Sequence, residues 1–198
     1  MSDANLFKNL ELEAFRAGIN PRTDESRTWF RNRLKALRRV NRLEVMNAEE
    51  IKLVNKSQPL IGSMNMFFYD PKTKDTLPFY DRFPLAIISG PAPGGFYGMN
   101  LHYLSPALRA KFLDALMGMT NNKKFDDTTR FKAQYDLMKR LGTTKYFKPC
   151  FKHYLFAHVK SRLGRVSPPE WEIATFLPTA DWAKASASKV YKNSREMI

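Results

Sequence analysis

The apolar positions of the chain change their period along its length. Between residues 4 and 18, Leu6, Phe7, Leu10, Ala14 and Phe15 recur at three- and four-residue steps, which is the spacing of one helix face. Gly18 suits a helix stop, and Asn20-Pro21 then breaks the chain. A second helix is predicted over residues 24–42. Asp24 and Glu25 favour its N-terminus, and Trp29, Phe30, Leu34 and Leu37, extended by Val40, form its apolar stripe. Residues 45–58 read as a polar connector with a helical turn at 48–53. From residue 64 the pattern shortens. Residues 64–69 (MNMFFY) and 83–89 (FPLAIIS) read as strands, 76–81 as extended, and 96–104 (FYGMNLHYL) as a returning strand after the turn at Gly90–Gly95. Gly98 marks a bulge or a close approach.

Ser105-Pro106 opens a third helix, with Ser as cap and Pro at the first helical position, running to Met117. A fourth is predicted over 127–141, ended by Gly142. Residues 146–157 suit helix or strand equally. Residues 158–166 and 170–177 read as strands, and 180–194 as a terminal helix. The expected class is α+β. It comprises an N-terminal helical arm (1–58) and a core domain (59–198) built on a small twisted antiparallel sheet, open or curled into an SH3-like barrel, with surrounding helices.

With 43% hydrophobic and 13% aromatic residues in 198, the chain can bury a real core, so its charge does not imply disorder. No apolar run is long enough for a membrane helix, and no apolar leader opens the chain. The single cysteine, Cys150, suits a reducing compartment and reads as a small buried hydrophobe.

Charge alters the picture most. The net value is +14, from 33 Lys and Arg against 19 Asp and Glu. Residues 20–42 hold eight cations and two carboxylates, and residues 123–165 hold twelve and three. A surplus confined to two segments points to a polyanionic partner rather than to general solubility. On the predicted second helix, Arg27, Arg31, Lys35, Arg38 and Arg42 follow one another at helical intervals, with Arg22 just upstream. Like charges so placed repel, and phosphates would relieve them. In the second segment Lys145, Lys148 and Lys152 alternate with Tyr146, Phe147, Phe151 and Tyr154, a mixture that can hold backbone and stack bases. The alternative is that the aromatics are core, and the burial of Tyr146 and Tyr154 distinguishes the two. On the strand predicted over 158–166, Lys160 and Arg162 share a face, opposite Val159 and Leu163, and Arg165 follows. These twelve cations are the candidate DNA contacts.

Catalytic sets are weak. His102, His153 and His158 lack metal-ligand spacing, no phosphate-binding loop follows Gly90–Gly95, and no nucleophile elbow exists. Asp70, Asp75 and Asp81 would suit a metal nuclease, although turns favour Asp in any case. No catalytic residue, metal or cofactor is expected. Tyr69, Phe79, Tyr80, Phe83, Phe96, Tyr97 and Tyr103 read as core and sheet rim, and Trp29, Trp171 and Trp182 as core or docking anchors.

Residues 20–33 (NPRTDESRTWFRNR), 69–85 (YDPKTKDTLPFYDRFPL), 94–104 (GGFYGMNLHYL) and 157–178 (AHVKSRLGRVSPPEWEIATFLP) resemble the DNA end protector family of T4-like and marine tailed bacteriophages. The resemblance spans roughly residues 20–192. It implies a non-enzymatic protein at the end of packaged linear DNA that shields it from host exonuclease. It also implies the virion and the host cytoplasm as locations, with phage portal, neck or tail proteins as further partners and no membrane. A structural virion component whose basic faces meet protein neighbours is the alternative.

Overall fold

The computed structural model describes residues 6–37, 39–120 and 127–196. In chain order the elements are α1 (Leu6–Arg16), α2 (Asp24–Leu34), α3 (Arg42–Met46), β1 (Ile51–Val54), β2 (Met64–Met66), β3 (Tyr80–Asp81), β4 (Leu85–Ala92) and β5 (Gly95–Asn100). There follow α4 (Pro106–Thr120), α5 (Asp127–Gly142), β6 (Phe151–Leu155), β7 (Leu163–Val166), α6 (Trp171–Phe176), β8 (Trp182–Ala183) and α7 (Ala187–Glu196). Six strands form one antiparallel sheet in the order β1-β7-β2-β4-β5-β6, and β3 and β8 pair separately. The class is α+β.

The barrel is corrected. The sheet is open, with β1 and β6 at its edges and no pairing between them among the described residues. Helices, not a second turn of sheet, cover its apolar face. Met64, Met66, Leu85, Ile87 and Met99 share one core with Phe7 and Leu10 of α1, Phe30 and Leu34 of α2, Phe112 and Leu113 of α4, Trp171 of α6 and Val190 of α7. Residues of opposite parity point the other way. There Ala86, Ile88, Phe96 and Tyr154 join Phe67, Val159 and Leu163 in a smaller cluster. β5 and β6 approach so closely that a Cβ at Gly95 would sit 1.9 Å from the Tyr154 carbonyl oxygen. Gly98 lies beneath the Tyr154 ring, at 3.3 Å by the same measure, so it serves a close approach, and the sheet's bulge falls at Ile88–Gly90 instead.

Other departures have local causes. The predicted helix over 24–42 ends at Leu34. Asn41 caps a new helix, its side chain accepting from the Leu43 N–H, and the break lets Leu34, Val40, Val45 and Met46 all reach the core. The connector contains β1, paired with β7. The strand predicted over 158–166 is sheet only from Leu163, after a 3-10 turn at Phe156–His158. The strand predicted over 170–177 is instead helix α6 (Trp171–Phe176), preceded by a 3-10 turn over Pro168–Glu170. The alternation of Glu170-Trp171-Glu172-Ile173 imitates a strand, but all four side chains are buried.

Candidate nucleic-acid interface

The first basic segment is largely engaged inside the protein. Thr23 and Ser26 form a reciprocal cap at the start of α2. This turns Arg27 inward, where it is 6% exposed. Its guanidinium meets Asp24, Asp114 of α4 and, at 3.5 Å, Glu172 of α6. Glu172 is itself buried, and Ser26 Oγ donates to its carboxylate at 2.9 Å. Burial raises the Glu172 pKa, and Ser26, the Arg22 N–H and Arg27 pull it back. Arg22 is exposed and donates its backbone N–H to Glu172 at 3.3 Å. Arg33 forks onto Glu13 at 2.6 and 3.2 Å. Arg31 is half-buried. Lys35, beyond the end of α2, is exposed and donates to Asn32 at 3.1 Å. Arg38 lies outside the described residues. With α2 ending at Leu34 and Arg42 opening α3, Arg27, Arg31, Lys35 and Arg42 do not form one helical row.

A different set converges on the sheet edge. One hollow holds Lys56, Lys160 and Arg162. A second holds Lys160, Arg42 and Arg82 with Tyr69, Asp70 and Asp181. A third holds Arg42 and Arg39 against Pro178. Lys160 joins the first to the second, and Arg42 the second to the third, so the three make one furrow with six cations and two carboxylates. Some of these cations also support the walls. Arg42 donates to the Thr179 and Ala180 carbonyls at 2.7 and 2.8 Å, Arg82 to Asp181 at 2.7 Å, and Lys56 to the Val159 carbonyl at 2.7 Å. Lys160 and Arg162 are exposed, while Val159 and Leu163 are buried. The expected alternation therefore holds, although the regular strand begins later. Arg165 faces Lys52 across β7–β1, which adds two cations to the same edge. Sequence reading missed Lys56 and Arg82. Neither lies in a cluster of cations along the chain, and only folding brings them to Lys160 and Arg42.

Beyond Tyr69, which walls both, the furrow adjoins a cavity of about 490 Å³. The 69–80 turn forms one side and residues 148–155 the other. Phe79, Tyr103 and Tyr154 give it aromatic walls, and Lys72, Lys148 and Lys152 surround them. The Lys152 ammonium lies 4.2 Å from the Tyr103 ring centroid. Burial lowers its pKa, and no carboxylate pairs with it among the described residues. Lys145 is exposed and does not line the cavity. Tyr154 is 3% exposed and Tyr146 52%, so the interleaved aromatics divide between core and surface. Lys184 holds the turn from outside, donating to the Lys74, Asp75 and Leu77 carbonyls at 2.6, 3.0 and 3.2 Å.

At the floor, Asp81 is fully enclosed. Its oxygens accept from the Phe83 and Asp181 N–H groups at 3.0 Å and from Asn100 at 3.0 Å, and one lies 2.6 Å from His102 Nδ1. Burial alone would raise its pKa, but His102, Asn100 and the Asp181 N–H bring it below the ordinary value. The carboxylate is thus committed to holding β3, β5 and β8 together. Asp70 pairs with Lys74 at 3.1 Å. No group of three His, Cys, Asp or Glu residues able to hold a metal occurs among the described residues. Cys150 is buried, its thiol pushed up to about 12. No helix among the described residues is long and apolar enough to cross a membrane.

A family model described as Phage T4 terminal DNA protecting protein matches residues 8–195. The chain belongs to that family. The family's role is protection of terminal DNA in phage, which is not an enzymatic role. No curated protein and no solved structure matches the chain.

Proposed function

We propose that this protein shields a DNA terminus without catalysis, by laying the phosphate backbone along the furrow of Arg39, Arg42, Lys56, Arg82, Lys160 and Arg162, with its bulk denying a nuclease access to the end. One observation carries the reading. Cations from four separate stretches of chain line adjoining hollows and outnumber their carboxylates six to two. Phosphate contacts of this kind release counterions and do not read sequence. Of the residues singled out in the sequence, Arg42, Lys160 and Arg162 lie in the furrow, Arg165 on its flank, and Lys148 and Lys152 in the adjoining cavity. Arg27 belongs to the interior.

If all six cations meet duplex phosphates, the affinity should fall with salt at a log–log slope of about −5. A slope near zero in an anisotropy titration removes DNA as the ligand. One observation favours a protein neighbour as well. Leu12 and Phe15, 44% and 80% exposed, stand three residues apart on α1, where a portal, neck or tail protein of the virion would meet them. We place the protein in the virion and, on entry, in the host cytoplasm. Detection in purified particles tests the first location.

A further inference from the structure

We infer that the cavity beside Tyr69 receives the terminal nucleotide of the bound strand, its base against the aromatic walls and its phosphate on Lys152 and Lys148. This rests on the DNA-protecting reading above and adds to it a means of telling an end from an interior site.

The argument begins with Lys152. Cations set into this protein have partners: Arg27 has three carboxylates, Arg42 two carbonyls, and Arg109 the Leu104, His102 and Thr175 carbonyls with the Tyr191 hydroxyl. Lys152 has only the face of Tyr103 among the described residues. A half-buried ammonium costs free energy unless an anion completes it, and the open side of this one faces a cavity. The volume, about 490 Å³, lies in the range of roughly 300–1,000 Å³ typical of small-ligand sites. Of its aromatic lining, Tyr69 and Tyr80 are partly exposed, and such rings take any base through its π-face.

The floor decides what is read. Asn100 donates to Asp81 and accepts from the His102 N–H, and Asp81 is saturated. Both are almost fully buried, which keeps them from a base edge, so the site accepts all four bases. Tyr69 is common to the cavity and the furrow, so a strand lying in the furrow reaches the cavity mouth. A nucleotide inside a duplex enters such a pocket only by unpairing and unstacking, which costs a few kcal/mol and least where a base is already single-stranded. A terminal nucleotide has only one stacked neighbour, so an end is selected without any sequence contact, and the residue an exonuclease must engage is withdrawn.

The test uses the full-length protein and two DNAs of the same duplex sequence, one with open ends and one closed at both ends as a dumbbell. Anisotropy should show the open duplex bound about tenfold more tightly than the dumbbell, with little change when the terminal base is varied. Lys152→Met should remove that preference and leave dumbbell affinity unchanged. Thr73→Trp, at an exposed position on the cavity wall, should block entry with the same result and without touching the core. Equal binding of both DNAs by the unaltered protein overturns the cavity inference and leaves the furrow standing. So does a variant that weakens both DNAs alike. Binding of neither DNA overturns the DNA reading itself, and this inference with it.

Discussion

The two basic segments of this chain both carry a surplus of positive charge, and the fold treats their central cations differently. Around α2, remote carboxylates come to meet the cations: Glu172 from α6, Asp114 from α4 and Glu13 from α1. Between residues 145 and 165 there is no Asp or Glu in the sequence, and neither Lys160 nor Arg162 has an ion-pair partner among the described residues. Arg27 and Arg33 join helices to one another, whereas Lys160 and Arg162 face outward. A run of positive charge therefore identifies a binding surface only where the fold has not already supplied the counter-charge.

The largest expected effect breaks the first half of that contrast. Arg27→Met leaves Glu172 buried without its cation, and should cost about 3–5 kcal/mol, read as a lowered urea midpoint. DNA affinity of the remaining folded protein should be unchanged, and lost affinity at full stability would reverse the assignment. Next, Lys160→Glu with Arg162→Glu should weaken DNA binding and flatten the salt slope by roughly 2, with stability shifted by no more than about 0.5 kcal/mol per surface site. An unfolded double variant would move these residues to the structural side.

A pH dependence sharpens the comparison further. Glu170 is buried beside Glu11 and Glu50, and its pKa rises from 4.5 to about 8. Between those values the folded protein keeps a proton that the unfolded chain releases, so this contribution to stability is complete below about pH 4.5 and is lost as the pH rises through 8. Glu170→Gln should flatten the melting temperature over that window, and an unchanged profile would count against the acidic cluster. Smallest of all, Phe15→Ser should leave melting within about 0.5 kcal/mol of the parent, while weakening any binding to a virion neighbour.

Much of the fold was legible. α1 follows from three- and four-residue periodicity, α4 and α5 from Ser-Pro and Gly punctuation, and the β4–β5 hairpin from the Gly and Pro of residues 90–95, although Gly90, Pro91 and Ala92 continue β4 and the turn is only Pro93-Gly94. α6 was not legible, because Glu172 breaks the apolar pattern and is admitted to the interior by Arg22, Ser26 and Arg27, almost 150 residues earlier. The same long-range pairing disguised Arg27 as a surface cation, although Asp24, three residues before it, was a visible warning. The outward pair Lys160 and Arg162 was legible from alternation alone. The cavity was not, since its walls come from the 69–80 turn, β5 and residues 148–155, and no local pattern records that they meet.

Lys184 gives the molecule one more property. Its backbone takes the left-handed region at φ 66°, and its amine gathers three carbonyls of a turn lying about 110 residues earlier. The tail of the chain thus acts as a clasp on a rim it does not itself form. Neutralising that single amine would slacken the Lys74–Leu77 bend while leaving every strand of the main sheet in place.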